Sequence, residues 1–203
     1  MTTTLNESTQ TGPGADAFRD RLLEGLAQSI DERGYRDTTV ADIVRHAKTS
    51  KRTFYDQFAS KEECFIDLLR TNNEDMIAGI LAAVDLEAAP HGQVEAALTA
   101  YIDHISARPA ITLSWIREAP ALGEAASALH RLAMDHLSDM LIGISVSPGF
   151  QHAGLQPISR ELALILLGGL RELTASYVED GRDVREIAAS SAAATRALLG
   201  LTP

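Results

Sequence analysis

The sequence predicts an all-α protein of about nine helices, and three observations predict it. Alanine and leucine are abundant while aromatic residues make up only 5% of the 203 residues, a balance that favours helices over strands. β-branched residues never alternate for long enough to lay out a sheet. Apolar residues recur instead at three- and four-residue spacing, the period of a helix with one buried face. A hydrophobic content of 45% allows a sizeable core, and the length suits one large domain or two small ones.

Taken in order, residues 1–14 read as a disordered polar arm. A first helix is expected over 15–33, with Phe18, Leu22, Leu26 and Ile30 on one stripe and Gly34 as its stop. Thr39 precedes an apolar pattern at Val40, Ile43, Val44 and Ala47, and Asp42 sits three residues on, so the two side chains can form a capping box for a helix over 40–46. Ala47, Lys48 and Thr49 make a turn. Ser50 then caps a helix over 51–57. Phe54 and Phe58, four apart, face inward against Ile43 and Val44 and leave Lys51, Arg52, Thr53, Asp56 and Gln57 outside, with Tyr55 at the edge. Ser60-Lys61-Glu62-Glu63 is a second capping box, opening a long helix over 61–86.

Ala89-Pro90-His91-Gly92 breaks that helix, and another follows over 93–106. Pro109 and Pro120 bracket a short helix carrying Trp115. The remaining helices are expected over 121–144, 159–180 and 184–199, with a loop over 147–157. The organisation expected is an arm over 1–14, a three-helix domain over 15–60 with a helix-turn-helix, and a helical domain over 61–203.

Charge singles out the second and third helices. The chain carries 18 cations against 28 anions, net −10, yet from Arg45 to Lys61 five cations face one anion, Asp56. A cationic island on an acidic protein directs an anionic partner to one face. Lys61 lies in a first helical turn, where the dipole disfavours a cation, and its presence there suggests a phosphate. A short helix, a tight turn and a second basic helix make the geometry that fills a DNA major groove. Lysine and arginine suit guanine O6 and N7, and tyrosine, threonine and lysine donors suit phosphate oxygens.

The segment resembles the N-terminal DNA-binding domain of the TetR (tetracycline-repressor-like) family of bacterial transcription regulators. The resemblance rests on Gly34-Tyr35, Thr38-Thr39-Val40, Asp42-Ile43, Ala47, Ser50, Thr53-Phe54-Tyr55, Phe58 and Ser60-Lys61-Glu62, and covers about residues 18–70. It departs in the turn, where the family usually has glycine and an apolar residue and this chain has Lys48 and Thr49. The resemblance implies base contacts from Lys51, Arg52, Thr53 and Asp56 and phosphate contacts from Thr39, Tyr55, Gln57 and Lys61. Ser50, as the cap, and Lys48, in the turn, belong to the same surface.

It further implies that the rest of the chain forms an effector-binding and dimerisation domain. Leu162, Leu166, Gly169, Leu173 and Tyr177 share one stripe, and Val184, Ile187, Ser191, Ala194 and Leu198 another, so two helices from each of two copies could make a four-helix bundle. Two-fold symmetry would then present two recognition helices to a palindrome. Met76, Tyr101, His104, Trp115, Glu118, Met134 and Leu137 are the candidate lining of a pocket between helices, with Ile80, Ile105, Ile116 and Leu141 beside them. Their mixture suits a small, largely apolar effector with one or two polar groups.

Other classes are disfavoured. There is no GxSxG elbow, HExxH, Walker loop or glycine fingerprint, so no enzyme is expected. His130 and His136 are six apart, not four, and no metal site or cofactor is expected. The single cysteine, Cys64, excludes an intrachain disulfide and reads as a small buried residue. The longest apolar run, residues 162–170, is too short to span a bilayer, and residues 1–14 lack a basic start and an apolar run, so a cytoplasmic protein with no membrane partner is expected. The expected function is a dimeric repressor released from operator DNA by its effector. The alternatives are a ligand-dependent activator and a helical adaptor that binds no DNA.

Overall fold

A computed structural model describes residues 13–201. Among these there are ten α-helices, two short 3-10 turns and no strand. The chain divides into two compact units, one reaching Phe65 and the other starting at Ile66. Residues 1–12 of the expected arm lie outside the described residues, and 13–14 already belong to the first helix.

The first unit is built from α1 (Pro13–Asp37), α2 (Val40–His46), α3 (Lys51–Gln57) and the start of α4 (Lys61–Ala83). Gly34 interrupts α1 with φ 79° and ψ 163°, a conformation nearly closed to residues with a Cβ, so the expected stop falls where the sequence places it. Leu22, Leu26 and Ile30 are buried with Ile43, Phe54, Phe58, Cys64 and Phe65 in one core. Phe18, expected on the same stripe, is instead 39% exposed, and Arg21 lies over its ring at 4.5 Å.

The second unit contains the rest of α4, α5 (Pro90–Ala107), α6 (Pro109–Arg117), α7 (Glu124–Ser145), α8 (Pro148–His152), α9 (Arg160–Glu179) and α10 (Ala188–Leu198). Several boundaries differ from expectation. α4 ends at Ala83 rather than Leu86, and Pro90 starts α5 at its first turn instead of extending the break. The expected loop over 147–157 contains α8, likewise begun by a proline. The final stretch opens as a 3-10 turn, Val184–Ile187, before α10.

α8 is docked by a polar latch. Gln93, fully buried, donates through Nε2 to Leu86 O (3.1 Å) and Ala88 O (2.8 Å) and accepts from Ser147 Oγ (3.0 Å). Gly149 N–H donates to Leu86 O at 3.0 Å. A Cβ at Gly149 would lie 1.9 Å from Ala88 O; only glycine admits so close an approach. Around the latch, Ile80, Val84, Met140, Ile144 and Phe150 form one core cluster. Ile102, Ile105, Val184 and Ile187 form another.

Candidate nucleic-acid interface and ligand cavity

The helix-turn-helix is held by local caps. Thr39 Oγ1 accepts from Asp42 N–H at 3.3 Å, and Asp42 Oδ2 accepts from Thr39 N–H at 3.1 Å, completing the capping box of α2. Asp42 Oδ2 also accepts from Thr39 Oγ1 at 2.7 Å. These bonds to Thr39, with Arg45 and Arg33 nearby, hold the Asp42 carboxyl at about 2, well under its ordinary 3.8. Ser50 Oγ accepts from Thr53 N–H at 3.1 Å and caps α3. Between the helices Lys48 takes φ 50°, the left-handed conformation that glycine adopts without strain.

Phe54 and Phe58 are buried, their ring centres 5.8 Å apart. They fix the roll of α3, so its other side faces out. Lys48, Lys51, Arg52, Tyr55 and Asp56 are exposed there, with Thr53 and Gln57 half-buried. Tyr55 is 58% exposed and packs edge-on against Phe54. Lys48, Lys51 and Arg52 take part in no ion pair among the described residues. Arg45 differs, since it pairs with Asp42 (3.3 Å) and Glu32 (3.6 Å).

Lys61 also differs from expectation. Its Nζ donates to Thr38 O (2.8 Å), Tyr35 O (2.9 Å) and Arg36 O (3.4 Å) and sits 4.3 Å from the Tyr35 ring centre. The ammonium therefore closes carbonyls at the end of α1, a negative pole that offsets the unfavourable dipole of its own helix. An outside anion is not needed to explain its position.

In the second unit two cavities adjoin, sharing Tyr101, Leu137, Leu167 and Leu170 as walls. The larger, about 110 Å³, is lined by Ile80, Val94, Met140, Leu141, Ile144 and Phe150 among other apolar groups. The smaller, about 70 Å³, is bounded by Met76, Trp115, Met134, Ile105 and Ile116 and by the polar Asn72, Asn73, Thr112 and Arg171. Of the expected lining, Met76, Tyr101, Trp115, Met134 and Leu137 come together there. His104 and Glu118 do not line either cavity. His104 Nε2 lies 3.2 Å from Asn72 Oδ1, and Glu118 ends α6, its N–H donating to Ser114 O.

Arg171 borders the smaller cavity and lies outside the expected lining. Its Nη2 donates to Ile116 O at 3.0 Å, while its Nε is buried with no hydrogen-bond partner. Burial holds the guanidinium below its ordinary pKa. A buried charged donor left unmatched costs about 1–3 kcal/mol or more. The adjacent Glu172 is committed to Arg117 at 2.8 Å. Burial, with Arg171 nearby, also pushes the His130 imidazole down, favouring its neutral form. The only local signal for Arg171 is a cation directly after the apolar run 162–170 of α9.

Part of the expected dimer seam is used within the subunit. Leu166 lines the larger cavity, and Leu173 and Tyr177 pack on Val184 and Ile187 within the subunit. Ser191 is buried and Leu162 half-buried. Only Gly169, Ala194 and Leu198 of the ten are exposed. The outward face of α9 instead carries Leu164 (43% exposed), Ile165 (60%) and Gly168. α9 is apolar nearly all round, so period alone does not separate its inner stripe from its outer one.

Residues 22–68 match the family described as bacterial regulatory proteins, tetR family. Among curated proteins, the chain is 27% identical over 90 residues to the HTH-type transcriptional activator FasR of Mycolicibacterium smegmatis, covering 44% of this chain and 41% of that protein. It is 35% identical over 104 residues to the HTH-type transcriptional repressor KstR2 of Mycobacterium tuberculosis, covering 51% and 52%. The chain thus spans about half the length of the curated relatives it matches. In fold it is similar to the regulator FadR from Bacillus subtilis, solved in complex with stearoyl-CoA, with a TM-score of 0.75 at 15% identity over 91% of this chain and 99% of that one. A tetR-family transcriptional regulator from Streptomyces coelicolor gives 0.73 at 13% identity over 90% and 80%. No described helix is long and apolar enough to cross a membrane. Residues 22–68 thus carry a capped helix-turn-helix that matches the tetR family of bacterial regulatory proteins, and the chain shares an all-helical fold with these solved regulators.

Proposed function

We propose that this protein is a dimeric DNA-binding transcriptional regulator, a repressor released from a palindromic operator by a small, largely apolar ligand. The observation that carries the reading is the outward side of α3 and its turn, where Lys48, Lys51 and Arg52 are exposed and take part in no ion pair among the described residues, on a helix propped by two buried phenylalanines. Cations left unmatched on a rigid helix suit a polyanion. In this reading Lys51, Arg52, Thr53 and Asp56 meet base edges, and Thr39, Tyr55, Gln57 and Lys48 meet phosphates. Lys61 takes part chiefly by fixing the end of α1, and Ser50 by capping α3. The protein works in the cytoplasm, where the DNA lies, and performs no catalysis.

The exposed apolar residues Leu164, Ile165 and Leu198, with Gly168, Gly169 and Ala194 allowing close approach, support a second copy as partner. The adjoining cavities support the effector, which shifts the population toward a form with lower operator affinity, by no more than its differential affinity for the two. KstR2 is named a repressor, and FadR was crystallised with stearoyl-CoA. FasR, named an activator, favours activation as the second reading. The test is selection of bound fragments from random duplex DNA. It should enrich palindromes with half-sites about 34–36 Å apart or a multiple of that; failure to enrich any duplex would refute the reading.

A further inference from the structure

We propose that Asp56 is a specificity-determining residue, its carboxylate selecting a cytosine in each operator half-site by accepting from the N4 amino group of that base. This deepens the reading of α3 as the recognition helix and rests on it. Asp56 is disfavoured twice over where it stands. It is the one anion among the five cations between Arg45 and Lys61, on a surface whose other charges attract a polyanion, so towards phosphate it only repels. It also lies in the last turn of α3, Lys51–Gln57, where the helix dipole disfavours a negative charge. Arg52 precedes it by four residues, the spacing of a helical ion pair, yet neither side chain takes part in an ion pair among the described residues. Local structure and phosphate attraction both leave the carboxylate without a role.

The geometry puts it at the middle of the outward side. Phe54 and Phe58 are buried, and Asp56 is two residues from each. At about 100° per residue it stands roughly opposite both. It is exposed, as is Arg52 one turn before it on the same side. The two are about 6 Å apart along the helix axis, enough to address different base pairs. Groove chemistry then decides what each selects. Arginine only donates and suits guanine O6 and N7, whereas a carboxylate only accepts and suits cytosine N4. Guanine O6 and N7 and thymine O4 are acceptors that repel it, and the adenine amino group stands beside another acceptor, N7. A carboxylate at this position therefore penalises the wrong bases as well as rewarding the right one.

The experiment selects bound fragments from random duplex DNA with the full chain as wild type, Asp56→Asn and Asp56→Ala, then measures affinity for the wild-type fragment with each base pair replaced in turn. The wild type should fix a cytosine at one position of each half-site. Asp56→Asn should move that position towards adenine, whose N6 and N7 a side-chain amide matches. Asp56→Ala should leave it undetermined and the other positions unchanged. Replacing that cytosine in one half-site should weaken wild-type binding about 5- to 150-fold and leave Asp56→Ala almost unaffected. A uniform gain in affinity with unchanged base preferences would reduce Asp56 to a charge that opposes phosphate binding and overturn the proposal. So would loss of folding in both variants, judged by circular dichroism, which would make the residue structural. The recognition-helix reading fails differently: the wild type itself would then enrich no duplex.

Discussion

Lys48 holds φ 50° in the turn between α2 and α3, a conformation that costs a residue with a Cβ about 1–2 kcal/mol. Glycine removes that strain but adds entropy to the unfolded chain. Lys48→Gly should therefore raise stability by roughly 0.5–1 kcal/mol, seen as a higher urea midpoint, while weakening DNA binding through loss of one exposed cation. A lower midpoint would show that the lysine stem packs usefully in the turn. Asp42 offers a second test. Its folded carboxyl is held at about 2 against an ordinary 3.8, so it contributes stability that is full above the ordinary value and is lost as pH falls towards the folded one. The stability gap between wild type and Asp42→Asn should be constant above about pH 5 and shrink as pH falls to about 2. A gap independent of pH would contradict the ionised cap. Both residues were legible in the sequence because caps and turns depend on neighbours three or four positions away.

At the scale of elements, short-range signals served well and long-range ones did not. Thr39 and Ser50 cap α2 and α3, and Gly34 interrupts α1. The sequence places Pro148 in a loop, yet it starts α8. What makes that helix possible is distant: Gln93 gathers Leu86, Ala88 and Ser147, and Gly149 rests on Ala88 O. No periodic pattern announces a buried glutamine 54 residues from its serine partner. Gly149→Ala should destabilise the protein by about 1–3 kcal/mol through overpacking, measured by chemical denaturation. A neutral result would mean that α8 can shift without loss.

Over the whole molecule, the fold class followed from composition and helical period, while the faces of α9 did not. Leu162, Leu166 and Leu173 share a stripe in sequence, but Leu164 and Ile165 are the residues left exposed. Arg171 was equally hidden, because a half-buried arginine and a surface one look alike until the neighbouring helices are in place. The cationic face of α3 was readable because charge, caps and the Phe54–Phe58 pair all lie within residues 45–61.

The account turns on that face entering a duplex groove, and the most direct measurement is affinity for a selected DNA fragment as salt is varied, for the wild type and for Lys51→Ala with Arg52→Ala. The account predicts a steep fall with salt, with log affinity declining about 0.9 per phosphate neutralised. It also predicts that the double variant, still folded, loses about 1–3 kcal/mol or more in affinity and titrates with a shallower slope. Wild-type binding indifferent to salt, or a double variant that binds the same fragment as tightly, would contradict it.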